Sequence, residues 1–156
     1  YQEAKKILKI FGIDLKFYKL HLEEIQSDSL KEIAQKKAID AFKKIKKPII
    51  IEDDGLFIDS LSGFPGPYSS YIFKTIGNKG ILNLINTKRS AKFVSIIVFL
   101  EKNNLKLFTA KINGRISKIQ KGQGWGYDPI FIPFNTKCLT FLLIAKAKSP
   151  PLSSPK

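Results

Sequence analysis

The sequence predicts an α/β fold, and three observations carry that expectation. A helical apolar stripe over residues 29–45 leads directly into the apolar run Ile49-Ile50-Ile51. A nearly continuous apolar stretch at residues 91–100 is followed, across Lys102-Asn103-Asn104, by a second stretch suited to pair with it as a hairpin. Three adjacent carboxylates, Glu52, Asp53 and Asp54, stand where the first apolar run stops. Unpaired charge is not buried in a core, and the end of a buried strand is where α/β proteins commonly place ligand chemistry. The 156 residues suffice for one domain with its own core.

In chain order, residues 2–11 put Ala4, Ile7, Leu8 and Phe11 on one stripe and predict a helix with no visible cap, ended by Gly12. Residues 14–22 alternate as a strand and lead to Glu23-Glu24. Ser29-Leu-Lys-Glu32 is a capping box that opens the next helix. Its inward stripe is Leu30, Ile33, Ala34, Lys37, Ala38, Ala41, Phe42 and Ile45. A lysine on that stripe must snorkel to the edge or meet an anion, and the nearby acids favour the anion. After the three acids, Gly55 reads as a turn, a second apolar run follows, and Gly63-Phe64-Pro65-Gly66-Pro67 breaks it. Two short helices are expected at residues 68–76 and 79–85, separated by Gly77-Asn78. The hairpin follows, with residues 114–119 continuing the sheet, a glycine-rich loop at 122–129 and a short strand at 130–133. Residues 134–156 contain no acid and end Ser/Pro-rich, so residues 1–133 are expected to form the domain and 134–156 a divergent, disordered tail.

Charge narrows the chemistry. Twenty-seven Lys and Arg stand against 13 Asp and Glu, for a net charge of +14, which favours a polyanionic partner or reflects a lysine-rich background. The acids are unevenly spread: Glu52, Asp53, Asp54 and Asp59 cluster, and beyond Asp59 only Glu101 and Asp128 follow. In so positive a chain, a tight acidic cluster is there to hold a cation or to move a proton. The single Cys138 excludes an internal disulfide and fits a reducing, cytoplasmic setting. With no signal peptide and no apolar run long enough to span a bilayer, a soluble chain with no membrane partner is expected. Methionine is absent, the initiator included, so the chain is expected to be processed or part of a longer one.

Two constellations could carry chemistry. Glu24, with Glu52, Asp53 and Asp54, would form an oxygen-ligand site suited to Mg²⁺ if the two segments meet, and one carboxylate could take a proton from attacking water. Gly124-Trp125-Gly126-Tyr127-Asp128-Pro129 combines close backbone approach, two stacking rings and a carboxylate acceptor, the parts of a nucleobase pocket. The same residues equally describe a turn whose aromatic rings pack back on the core. His21 is expected to be structural and Cys138 inert, and no phosphate-binding glycine loop of the Walker type, Cys/His metal spacing or Ser-His-Asp set is present.

The segments Leu22-Glu-Glu-Ile-Gln-Ser27, Lys37-Ala38, Ile51-Glu-Asp-Asp-Gly-Leu-Phe-Ile-Asp-Ser-Leu-Ser-Gly-Phe-Pro-Gly-Pro-Tyr-Ser69 and Gly124-Trp-Gly-Tyr-Asp-Pro-Ile-Phe-Ile-Pro133 resemble the inosine triphosphate pyrophosphatase-like (Ham1-type) family. The resemblance implies an α/β fold with an elongated mixed β-sheet flanked by helices, and a homodimer. It implies Mg²⁺-dependent hydrolysis of the purine nucleoside triphosphates ITP, dITP and XTP to the monophosphate and pyrophosphate. It places the proton acceptor at Asp53 and the metal ligands at Glu24 and Asp53. Substrate contacts fall on Lys37, Asp54, Trp125, Gly126, Tyr127 and Asp128, and Glu52 is left as structural support. At position 54 the family commonly carries Ser or Thr, so Asp54 adds a negative charge there. The family's amino-terminal T-x-N-x-x-K loop would precede residue 1, and its Ser-His-Arg segment is replaced here by the divergent tail, for which a shifted reading frame after about Pro133 is one expectation. A catalytically impaired fragment, or a basic protein binding nucleic acid or another polyanion on the same fold, is the alternative expectation.

Overall fold

Strand β1 (Ile49–Ile58) is the element on which the rest of the sheet is built. It pairs along its whole length with β3 (Ser90–Glu101), which pairs with β4 (Asn104–Ile116); the short strands β2 (Pro65–Gly66) and β5 (Phe131–Pro133) complete the order β2-β1-β3-β4-β5. Every pairing in this sheet is antiparallel. The computed structural model describes residues 2–122, 124 and 126–134. Residues 135–156 of the expected tail, Cys138 among them, and Trp125 lie outside these residues. The chain divides into two compact units; Leu22–Asn135 contains the sheet, and Tyr1–His21 belongs to the other.

In the smaller unit, helix α1 (Gln2–Ile10) closes as its sequence predicts. Gly12 takes a positive φ of 74°, its N–H reaches Lys9 O, and the N–H of Ile13 reaches Leu8 O, the paired bonds of a glycine-terminated helix. Residues 14–22, expected as a strand, belong to no strand among the described residues. Alternation specifies where side chains point, whereas a strand is made by its ladder of backbone bonds.

In the larger unit, α2 (Leu30–Ile45) begins at Ser29, whose hydroxyl accepts from the N–H of Glu32 at 3.3 Å. The return bond of the expected capping box is relayed: Ser27 Oγ donates to Glu32 Oε2 at 2.7 Å and accepts from the N–H of Ser29 at 3.0 Å. Leu30, Ile33, Ala34, Ala38 and Ala41 are buried where α2 packs on β1 and β3. Side chains alternate across a strand, so Ile49, Ile51, Asp53, Gly55 and Phe57 share the face that α2 covers. Ile50, Glu52, Asp54, Leu56 and Ile58 share the other. There Leu56 and Ile58 join Ile81, Ile85, Ala91, Ile116, Tyr127 and Ile130 in a core packed under α3 (Ser69–Thr75) and α4 (Gly77–Leu84).

Two local expectations are corrected. The three acids lie in the middle of a ten-residue strand, and the chain does not turn at Gly55. Gly55 is needed for closeness: a Cβ built there would lie 2.7 Å from Gly66 O and 3.0 Å from Leu30 Cδ1. The missing side chain lets β2 and α2 both approach β1. Gly77-Asn78 likewise does not separate the two short helices but forms the first turn of α4. The hairpin forms as predicted, with Glu101 opposite Asn104 and Lys102 at φ 51° in the turn, and β4 continues to Ile116.

Candidate active site

Small residues bring α2 close to the sheet. Ala34, Ala38 and Ala41 are buried against the sheet, and Lys37, between them on the same stripe, is largely buried with them. Its ammonium lies between two carboxylates instead. Nζ donates to Asp53 Oδ1 at 2.6 Å and to Glu24 Oε1 at 2.7 Å. The side chains of Lys37 and Asp53 are 16% and 14% exposed, whereas Glu24 is 62% exposed at the rim. The irregular segment carrying Glu24 is tied to α2 by the Ser27–Ser29–Glu32 bonds. The carboxylate of Asp40 accepts from Lys44 at 2.8 Å, which holds its pKa low.

The electrostatics follow from burial and pairing. Burial works against the charge of Lys37, but the bonds from Asp53 and Glu24 outweigh it and raise its pKa. Burial raises the pKa of Asp53 as well; the Lys37 bond opposes this without cancelling it, and the charge of Glu24 adds to the rise. Asp53 Oδ2 is buried and makes no hydrogen bond. It is an acceptor held ready beside a carboxylate at the rim. Two carboxylates of hard oxygen donors, one with a free lone-pair site, fit a Mg²⁺ ion that completes its shell with water and substrate phosphate. Among the described residues no group of three or more His, Cys, Asp or Glu is placed to hold a metal.

Asp54 is placed differently. It stands on the opposite face of β1, directly across from Ser95, which is almost fully buried. Burial raises its pKa, Ser95 pulls the other way, and the charge of Asp53 adds to the rise; its Oδ1 is buried without a partner. The Ser95 hydroxyl donates to Glu52 Oε1 at 3.2 Å. The structure thus joins Glu24, Lys37 and Asp53 and turns the Asp54 side chain away from them.

The glycine-rich loop is described at Gly124 and from Gly126 onward. Tyr127 is buried in the core under α3 and α4: its hydroxyl donates to Ser69 O at 2.7 Å, its ring meets Phe73 edge-on at 5.5 Å, and burial pushes its pKa up to about 12. Of the two alternatives left open for this ring, packing on the core is the one found. Gly126 takes φ 59°, and its carbonyl accepts from Asn78 Nδ2 at 3.0 Å. Asp128 is exposed, and its Cβ lies 2.7 Å from where a Cβ on Gly124 would stand, so only glycine there lets the loop fold back over it. Residue type and spacing assign no role to Asn78, Ser69 or Ser95. Asn78 fell in what read as a helix break, and a polar side chain whose partner is 48 residues away leaves no local signal.

Comparison with known proteins bears on this arrangement. The model of the Ham1 family matches residues 1–153. The chain is 48% identical over 137 residues to a dITP/XTP pyrophosphatase of Methanopyrus kandleri, covering 85% of this chain and 73% of that protein. It is 44% identical over 135 residues to a dITP/XTP pyrophosphatase of Korarchaeum cryptofilum, with the same coverage. Among solved structures, a Ham1 protein from Coxiella burnetii superposes with a TM-score of 0.72 at 26% identity, covering 83% of this chain and 74% of that one. The Staphylococcus aureus Ham1 protein superposes with a TM-score of 0.64 at 32% identity, covering 72% and 62%.

Proposed function

The chain belongs to the Ham1 family, and from that premise we propose that it is a nucleoside triphosphate pyrophosphatase that removes purine nucleotides such as dITP, XTP and ITP from the nucleotide pool. The observation that carries this reading is the Glu24–Lys37–Asp53 cluster: two carboxylates and a cation, brought together from three segments on one face of β1. In the reaction, a water oxygen bonds to the α-phosphorus as the bridging Pα–O bond to the β-phosphate breaks. The water's proton passes to Asp53, and pyrophosphate leaves. Burial makes Asp53 a stronger base than an exposed aspartate. Lys37, held at the same point, offers charge to the phosphate oxygens. Mg²⁺, when bound by Glu24 and Asp53, would offset the charge of the phosphates.

The base side of the reading rests on residues 124–129. Asn78 and Ser69 hold Gly126 and Tyr127 in place, which leaves Asp128 in the open to accept from ring N–H groups. Trp125 is assigned to the same pocket by its position in the motif. Selection against ATP and GTP then follows from leaving an exocyclic amine facing groups that cannot pair with it. The Asp54 side chain faces away from Asp53, so any contact it makes with substrate comes from the far face of β1 or from its backbone.

A homodimer and a cytoplasmic location belong to the same reading. The outer surfaces of α3 and α4 leave Tyr71, Phe73, Ile76 and Leu84 exposed, apolar area that a second copy would cover. Among the described residues, no helix is long and apolar enough to cross a membrane. The test is release of pyrophosphate from dITP, XTP and ITP in the presence of Mg²⁺, with ATP and GTP as poor substrates. Absence of pyrophosphate release, or release of orthophosphate alone, refutes the reading. Light scattering on the purified chain settles the dimer.

A further inference from the structure

Resting on that reading, we propose that Lys37 is the resident counter-ion of the metal site: in the free protein its ammonium occupies the place between Glu24 and Asp53 that a divalent cation takes, and it transfers to the substrate's phosphates when the cation arrives. A cation shared by Glu24 and Asp53 must lie between their oxygens, and that space holds Nζ at 2.7 and 2.6 Å from them. Two cations cannot share it, because their repulsion at such separation in a largely dry site exceeds what either gains from a second carboxylate. The Lys37 side chain can leave without moving the helix, being a compact charge on a flexible four-carbon stem. It cannot remain unpaired, because its side chain is only 16% exposed and α2 packs closely on the sheet around it. A triphosphate beside the acids supplies the anion it then needs.

The arrangement makes metal and nucleotide binding interdependent. The metal alone must displace an ion pair and strand an ammonium, whereas a metal–nucleotide complex replaces both charges at once. By linkage, each of the two ligands then strengthens the other's binding.

The experiment measures Mn²⁺ binding to the full chain with no nucleotide present, by the loss of the free-ion paramagnetic resonance signal. The wild type binds Mn²⁺ weakly, and Lys37→Met binds it roughly tenfold more tightly or better, because the competing charge is gone. Lys37→Arg keeps the cation and stays weak. The gain in Lys37→Met disappears when Glu24→Gln or Asp53→Asn is added. Equal or weaker binding by Lys37→Met overturns the proposal, as does a gain that survives both added substitutions. Should Lys37→Met fail to fold, Lys37→Gln carries the same comparison. No substrate is involved, so a failure here is distinct from the absence of pyrophosphate release that would refute the proposed function.

Discussion

Asp53 and Asp54 are neighbours in the chain, share a strand, and are both pushed to higher pKa by burial. Yet one faces α2 and a lysine at 2.6 Å, and the other faces away, toward a serine hydroxyl. Alternation of the strand turns one acidic run into two sites of unlike chemistry. A buried carboxylate paired with a cation has much of its desolvation cost offset by that charge; a buried carboxylate facing a hydroxyl has less of it offset. The position of α2, more than the acidity of the segment, sets Asp53 apart from Asp54.

The most severe way to break the comparison is to neutralise both acids in turn. Asp53→Asn is expected to lower the rate of pyrophosphate release by roughly 10²- to 10⁴-fold, the usual worth of a general base, and Asp54→Asn by far less. Steady-state assays with dITP check this, and equal losses would erase the distinction between the two faces. With no metal bound, burial holds the Asp53 carboxyl above the ordinary value of 3.8 in spite of the Lys37 bond. Its carboxyl carbon should therefore titrate above that value by NMR in metal-free buffer, and a titration at or below it would remove the effect assigned to burial.

A second test removes the cation. Lys37→Met leaves Asp53 buried without its partner and is expected to destabilise the fold by about 3 kcal/mol. Adding Asp53→Asn should restore most of that loss, as measured by urea denaturation. A smaller effect comes from the loop: Asn78→Ala removes the donor to Gly126 O, a bond worth about 1 kcal/mol. It should raise KM for dITP and narrow the preference over dGTP, with kcat nearly unchanged. A fall in thermal stability with unaltered preference would make Asn78 merely structural.

The smallest expected effect sharpens the far face. The pKa of Asp54 is raised in the folded state, so the fold binds its proton more tightly than the unfolded chain does. Stability is therefore fully present below 3.8, the ordinary value, and is lost as pH rises through the folded pKa. Asp54→Asn should stabilise the protein at neutral pH by about 1 kcal/mol, and the advantage over wild type should vanish as pH falls toward 3.8. An advantage that persists at low pH would show that charge is not its source.

Much of this was legible beforehand because its cause is local. Ser29 with Glu32, Gly12 with its positive φ, and the Lys102-Asn103 turn depend on residues a few positions apart. The motifs around Glu24, Lys37 and Asp53 were visible as residue types at a spacing. Gly55 was misread because a glycine at a turn and a glycine at a close approach look alike until the neighbouring chain is in place. Asn78 and Ser69 went unseen for a related reason: each holds a loop about fifty residues away, and nothing local marks a donor or carbonyl for that use.

By itself, then, the sequence determined an α/β chain, the acids, the inward lysine and the glycine-rich loop, since composition, periodicity and capping act within a few residues. Only the tertiary structure decided that the acids lie in mid-strand, that α2 covers the Asp53 face, and that Lys37 ties Glu24 to Asp53 across 13 and 16 residues. Those outcomes depend on which faces pack together. Packing is settled by apolar area and close approach over the whole sheet, and no short segment contains that information.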